Sequence, residues 1–241
     1  MAQVIPDAWQ VPASVRQRVG VQAGRQRAIV EEGHLLLIVH ELPKENEITR
    51  AAKLFWRAPD GAWRATGAGQ SNGLPVLKRH LDTLRGAIQQ LDARVDGGKT
   101  AQDFFSVLNE ATPLQRTSRN VHKALQEARD GVDDKDIIAL RDTAGELERA
   151  AELLVGDARN ALDFTVAKNA EAQAASGVQA VEAQHRLNLL AALFFPVTAI
   201  GSILGINLRT GLEGSPPVLF WIVLVLAFAV GFAIRGSLRK K

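Results

Sequence analysis

Two stretches near the end of the chain constrain it more than anything else in it: Leu187 to Leu208 and Gly214 to Ile234 contain no charged residue. Each reaches the roughly 20 residues that an α-helix needs to cross ~30 Å of hydrocarbon. The ordinary alternative is a pair of core helices in a soluble protein. Val218 to Ile234 argues against it, being a near-unbroken run of Val, Leu, Ile, Phe and Ala with one Trp. A helix of a soluble protein keeps a polar face, and this one has none. The reading is a two-helix membrane hairpin, with spans over 187–208 and 217–234 and an outer loop over 209–216 in a connection rich in Gly and Pro. Arg186 precedes the first span, and Arg235, Arg239, Lys240 and Lys241 lie in the basic tail, 235–241, whereas the loop offers only Arg209. The excess of basic residues on one side predicts an inner (cytoplasmic) membrane protein with both termini cytoplasmic.

The rest of the composition mostly excludes. A chain of 241 residues leaves room for one modest soluble domain beside the membrane part. There is no cysteine, so neither a disulfide nor a thiolate enters the chemistry. The net charge of +3 sits partly in the tail, and no nucleic-acid partner is expected. The start of the chain lacks a basic stretch followed by an apolar core, so no cleavable secretory signal is expected.

Residues 1–130 read as a cytoplasmic α/β domain. Ala28 to about Thr66 is β in character: Leu35 to Val39 is a continuous apolar run, and Lys53–Trp56 and Ala62–Ala65 flank a turn at Pro59-Asp60-Gly61. Three or four strands are expected. From Gly73 the chain reads as helix, first over about Leu74 to Val95 and stopped by Gly97-Gly98. A second helix runs from Thr100 or Ala101 to Asp130, interrupted or kinked near Pro113. Then Ile137, Leu140, Ala144, Leu147, Ala151, Leu154, Ala158 and Ala161 follow alternating steps of three and four, a heptad seam. No proline lies between Pro113 and Pro196. One helix is therefore predicted from about Asp133, through a stalk over 131–186, into the membrane to about Leu204, a rod on the order of 100 Å. Beyond Thr165 its faces turn polar and small, suited to solvent or to lining water. The predicted fold class is α+β: a small sheet-plus-helices domain and a very long stalk helix entering the first of two spans, assembled as an oligomeric funnel.

The first span is the unusual one, with Asn188, Thr198, Ser202 and Asn207 among small residues and Pro196. Polar groups at membrane depth face a partner helix or a watery path, and helix packing through small and hydroxylated residues is the plain alternative. The second span has no such groups. That asymmetry suggests first spans forming a ring inside second spans, which requires several copies of the chain.

The segment Pro196-Val197-Thr198-Ala199-Ile200-Gly201-Ser202-Ile203-Leu204-Gly205-Ile206-Asn207 resembles the end of the pore helix in CorA-type magnesium transporters, where the pattern is P-L-T-x-I-A-G-I-Y-G-M-N. Pro196, Thr198, Ile200, Ile203, Gly205 and Asn207 fall in register; Leu204 replaces the Tyr and Ile206 the Met. The clear resemblance covers about residues 135 to 241. It implies a homopentameric channel for a divalent cation, Mg²⁺ foremost, with Gly205, Ile206 and Asn207 as the ion-selecting turn at the outer mouth. Mg²⁺ gives up its waters reluctantly and is best held hydrated by neutral oxygens, which a ring of Asn207 carboxamides supplies. Thr198 and Ser202 would form the next polar rings, and Phe195, Ala191 and Leu187 an apolar constriction. The family's regulatory magnesium sites use carboxylates, for which Asp133, Asp134 and Asp136 are the candidates; an acidic helix start is the plain reading of that cluster. The ion would be cargo and regulator, and no covalently bound cofactor is expected. The partners are further copies of the chain, membrane lipid and the cation. Arg209 beside Asn207, offset only by Glu213, works against a divalent ion at the mouth, so Zn²⁺, another ion or weakly selective conduction are alternatives.

Other motifs carry less. Gly98-Lys99-Thr100 looks like the end of a phosphate-binding loop, but position 93 is Ala and the segment follows a helix. His34 and His40 share a strand face and read as satisfied histidines. No catalytic motif appears, and no enzyme is expected. The rival of a different class is a membrane-anchored helical scaffold, whose heptad seam joins the copies and whose hairpin only tethers them.

Overall fold

A computed structural model of the chain describes residues 4–20, 22–42, 51–67, 72–205, 214 and 216–238. Its elements are α1 (Ala13–Gln17), β1 (Arg27–Glu31), β2 (His34–His40), β3 (Ala52–Arg57), β4 (Trp63–Ala65), α2 (Gly73–Gly97), α3 (Ala101–Gly131), α4 (Lys135–Gly205) and α5 (Val218–Leu238). The architecture is α+β, as expected. The chain divides into two compact units, 1–167 and 168–241.

The four strands form an antiparallel meander in the order β1-β2-β3-β4. Glu32 and Gly33, both at positive φ, make the two-residue turn between β1 and β2, the backbone that a tight hairpin demands. At the predicted Pro59-Asp60-Gly61 turn, Asp60 Oδ1 accepts the Ala62 N–H at 2.9 Å and Gly61 supplies a φ of 86°. The apolar run Leu35–Val39 is explained by the sheet's two covered faces. Leu35, Leu37 and Val39 join Phe55, Trp63 and Ala65 against the helices. Leu36 and Ile38 join Ile29, Leu54 and Trp56 under a lid formed by Ile5, Trp9, Val11 and Val15. That lid, with α1 in it, has no counterpart in the sequence reading. Trp9 stacks on Trp56, which stacks in turn on His34.

Helix α2 ends at Gly97 with Gly98 as its cap, and α3 begins at a capping box: Thr100 accepts the Asp103 N–H and Asp103 accepts the Thr100 N–H. Backbone N–H groups of Lys99 and Thr100 bonded to the Asp103 carboxylate hold its pKa below the usual carboxylate range. The Gly-Lys-Thr tripeptide is thus helix punctuation. Helix α3 is not interrupted at Pro113; it runs through it as a single element. The Thr117 hydroxyl donates to the Pro113 carbonyl at 2.9 Å.

The first part of α4 completes the domain. Ile137, Leu140, Ala144, Leu147, Ala151, Leu154 and Ala158 are buried in one cluster with α2, α3 and the inner face of the sheet. The seam therefore closes the chain's own core, and its alanines are spent on neighbours within the chain. This corrects the scaffold reading, in which the same seam joins copies: side chains with almost no exposed surface have none to offer a second copy. Polar clasps flank the seam. Glu148 accepts from Arg119 at 3.1 Å and lies 2.6 Å from His122 Nδ1, with Gly145 leaving room for that ring.

Helix α4 is one continuous helix of 71 residues, ending one residue beyond the predicted Leu204. Among the described residues it is the one helix with an 18-residue window apolar and charge-poor enough to cross a membrane; α5 carries a shorter apolar stretch, Val218–Ala233. Helix α5 continues through Leu238, so that 235–238 of the predicted tail are helical.

Candidate functional site

In the second unit α4 and α5 pack on each other, and the contact tells the faces of α4 apart. Ala227 and Gly231, one turn apart on α5, are buried. A Cβ built on Gly231 would lie 2.9 Å from the Leu193 carbonyl oxygen and 3.2 Å from its Cα. Small residues let helix backbones approach this closely. Leu193 thus marks the α5-facing side of α4, together with the half-buried Leu189, Pro196, Val197 and Ile200.

The residues expected to line a path lie elsewhere on that helix. At 3.6 residues per turn, Leu187, Ala191, Phe195, Thr198 and Ser202 fall within an arc of about 80°, whose centre is about 160° from Leu193. Leu187 is 65% and Phe195 70% exposed, and Thr198 and Ser202 are exposed as well. Ala191 is half-buried. The five candidates therefore share one face, turned away from α5, and four of the five are exposed.

Pro196 sits inside the helix and has no N–H to give the carbonyl one turn earlier. Two residues on, the Thr198 hydroxyl donates to the carbonyls of Phe194 at 3.1 Å and Phe195 at 3.0 Å. With its proton engaged there, the oxygen presents lone pairs outward and is an acceptor. Such an oxygen suits a cation or its bound waters better than an anion.

The same count, carried back from Leu187, reaches Gln184, Ala180, Gly177, Gln173 and Ala170, all exposed. Lys168, Glu171, Glu182, His185 and Arg186 all fall at other positions of the repeat. The face is thus free of ionisable side chains from Ala170 to Ser202. The polar stretch beyond Thr165, open in sequence to solvent or to lining water, includes Gln173 and Gln184; the three-and-four spacing sets those two on this face.

Gly205 is the last residue of α4. Ile206 and Asn207, the rest of the candidate selecting turn, and Arg209 and Glu213 of the loop lie outside the described residues.

The acidic candidates start α4. Asp134 Oδ1 accepts the Asp136 N–H at 2.8 Å, an N-terminal cap. Its other oxygen accepts from Arg57 Nε at 2.7 Å, in a pair whose side chains are 14% and 16% exposed. Asp136 pairs with Lys78 at 3.1 Å, and Asp133 is exposed. Two of the three carboxylates are thus engaged by basic side chains of the sheet and α2. Among the described residues no group of three or more His, Cys, Asp or Glu side chains is arranged to hold a metal ion. His34 Nδ1 accepts from Trp56 Nε1–H at 3.1 Å, and His40 Nε2 donates to the Gly24 carbonyl at 2.8 Å, so both histidines are satisfied.

No protein-family model matches the chain, and no curated protein matches it in sequence. Solved structures do. The cytoplasmic domain of ZntB from Vibrio parahaemolyticus RIMD 2210633 aligns at 11% identity over 67% of this chain and 80% of its own, with a TM-score of 0.49. The CorA magnesium transporter from Methanocaldococcus jannaschii aligns at 14% identity over 96% of this chain and 84% of its own, with a TM-score of 0.37. The full-length CmaX protein aligns at 15% identity with a TM-score of 0.56, covering 97% of this chain and 82% of its own. At that identity the likeness is one of fold, and it extends over nearly the whole of this chain.

Proposed function

We propose that the chain is the protomer of a homo-oligomeric, CorA-like membrane channel for divalent cations, with Mg²⁺ the first candidate. In this reading the ends of α4 and α5 are two membrane spans, both termini are cytoplasmic, and five copies place α4 around a common axis. The Gly205-Ile206-Asn207 turn caps the path on the outside. The observation that carries the reading is the face of α4 opposite α5. It joins Leu187, Ala191 and Phe195 to the hydroxyls of Thr198 and Ser202, is exposed at all of these but the half-buried Ala191, and leads in sequence to Gly205-Ile206-Asn207, which resembles the CorA-type motif.

The chemistry follows from that face. Carboxamide and hydroxyl oxygens replace or hold the outer waters of a hydrated cation without binding it so tightly that it stalls. Below them, rings of Phe195 and Leu187 narrow the path with apolar surface, which empties of water when tight and conducts when wide. The acidic start of α4 serves the fold, since Arg57 and Lys78 already compensate Asp134 and Asp136; a regulatory cation there would have to displace those pairs.

Flux into liposomes containing the purified full-length protein tests the proposal. Mg²⁺ entry is expected from the parent protein and at least tenfold less from Asn207→Ala, with Zn²⁺ and K⁺ run alongside to rank the ions. Assembled, folded oligomers that pass none of the three would refute conduction and leave a membrane anchor.

A further inference from the structure

The cytoplasmic domain carries a second feature, independent of any path through the membrane. A cleft of about 350 Å³ opens between the end of β2, β3 and α2, walled by Glu41, Leu42, Lys53, Val76, Arg79 and His80. Its charges do not balance. Lys53 is paired with Glu41 at 3.4 Å, while the exposed Arg79 guanidinium has no ion pair or hydrogen bond among the described residues. That leaves one positive charge uncompensated.

His80 adds the second observation. Its side chain is buried, with 5% of the residue exposed, and Nε2 has no hydrogen-bond partner. Buried polar atoms in folded proteins are nearly always paired, so such an atom calls for a ligand, a water or a role. His80 lines the cleft itself, together with Lys53 and Glu41, so it is set on the cleft side of α2. A water would satisfy Nε2 as well, and it is the unpaired Arg79 beside it that favours an anion there. A metal cation is disfavoured beside Arg79 and Lys53. The volume is at the small end for ligand pockets, and Leu42 and Val76 make part of the wall apolar.

We propose that this cleft binds a small organic oxyanion, its charged group between Arg79 and the His80 Nε2–H and its apolar body against Leu42 and Val76. The guanidinium supplies charge-assisted hydrogen bonds and the imidazole a neutral donor. Lys53 remains available as a second cation if the ligand draws it from Glu41.

The test is calorimetric titration of the full-length protein in detergent with phenyl phosphate, benzoate and inorganic phosphate. Saturable binding of phenyl phosphate is expected, at least tenfold weaker in Arg79→Gln, as for the loss of a charge-assisted pair. His80→Gln, which keeps an amide donor, should weaken it less than His80→Leu. Arg85→Gln, an arginine of the same helix paired instead with Asp82 at 2.8 Å, should leave it unchanged. Melting of each variant no lower than that of the parent guards against unfolding. Benzoate binding at the same site would establish oxyanion chemistry in general, and phenyl phosphate alone a phosphate-ester site. Inorganic phosphate binding as tightly as phenyl phosphate would overturn the role of the apolar wall. No saturable binding of either organic anion up to about 10 mM, or equal affinity in Arg79→Gln, would overturn the proposal.

Discussion

Acidification should loosen the sheet-and-helix domain of residues 1–167 through His80. The His80 pKa is lowered from 6.5 to about 4, chiefly by burial, then by the nearby Lys53 ammonium, with Glu41 acting in the opposite sense. The unfolded chain therefore binds a proton that the folded chain refuses between those values. Stability falls as pH drops through the window from about 6.5 to about 4 and is regained on the way up. At about 1.4 kcal/mol per pH unit, the full penalty is about 3 kcal/mol below the window and about 1.4 kcal/mol at pH 5.5. Urea unfolding followed by tryptophan fluorescence is a suitable assay, since Trp56 and Trp63 lie in the sheet. His80→Leu removes the titrating group and the orphan nitrogen together. The variant should equal or exceed the parent protein at pH 7.5 and surpass it by an additional 1–2 kcal/mol, to order of magnitude, at pH 5.5. Lys53→Met should shrink the pH dependence and Glu41→Gln enlarge it. A parent-minus-variant difference that stays flat from pH 7.5 to 4.5 would refute the reasoning.

Three further substitutions probe the packing. Gly231→Ala should destabilise the α4–α5 contact by about 1–3 kcal/mol, because the added carbon meets Leu193 backbone. Gly201→Ala, with nothing within 4 Å, should be neutral or better; equal melting of the two in detergent would contradict the contact. Gly73→Ala places a Cβ 2.5 Å from the Arg64 carbonyl carbon. It should cost about 2 kcal/mol or more, read as lower urea resistance of the sheet's tryptophan signal. Ala151→Leu overfills the seam and should cost about 1–3 kcal/mol while the mass of the assembly, measured by light scattering, stays the same. A change of assembly at unchanged stability would return the seam to the interface between copies.

What could be read from the residues alone followed from how local each signal was. The long helix was legible because no proline separates Lys135 from Pro196, and helix termination is a local event. The turn at Pro59-Asp60-Gly61 was legible for the same reason. The partner of the seam was not, since a three-and-four repeat states that one side of a helix is buried without saying what buries it. Here Ile137 to Ala158 pack on α2, α3 and the sheet. The lid of Ile5, Trp9, Val11 and Val15 escaped notice because a short irregular segment has no period. The clue was indirect: five consecutive apolar residues in β2 need a cover on both faces. Of the candidate site, the grouping of Leu187, Ala191, Phe195, Thr198 and Ser202 followed from spacing, but which side α5 occupies depends on the close approach at Gly231, which composition does not announce.

That approach limits how the apolar end of the chain can move. With Gly231 set against Leu193, backbone and side chain alike, the two helices meet there with no room for a Cβ. The helices cannot slide along each other there without a collision. The pair should therefore tilt or swivel as one piece, pivoting on a spot no larger than a peptide unit.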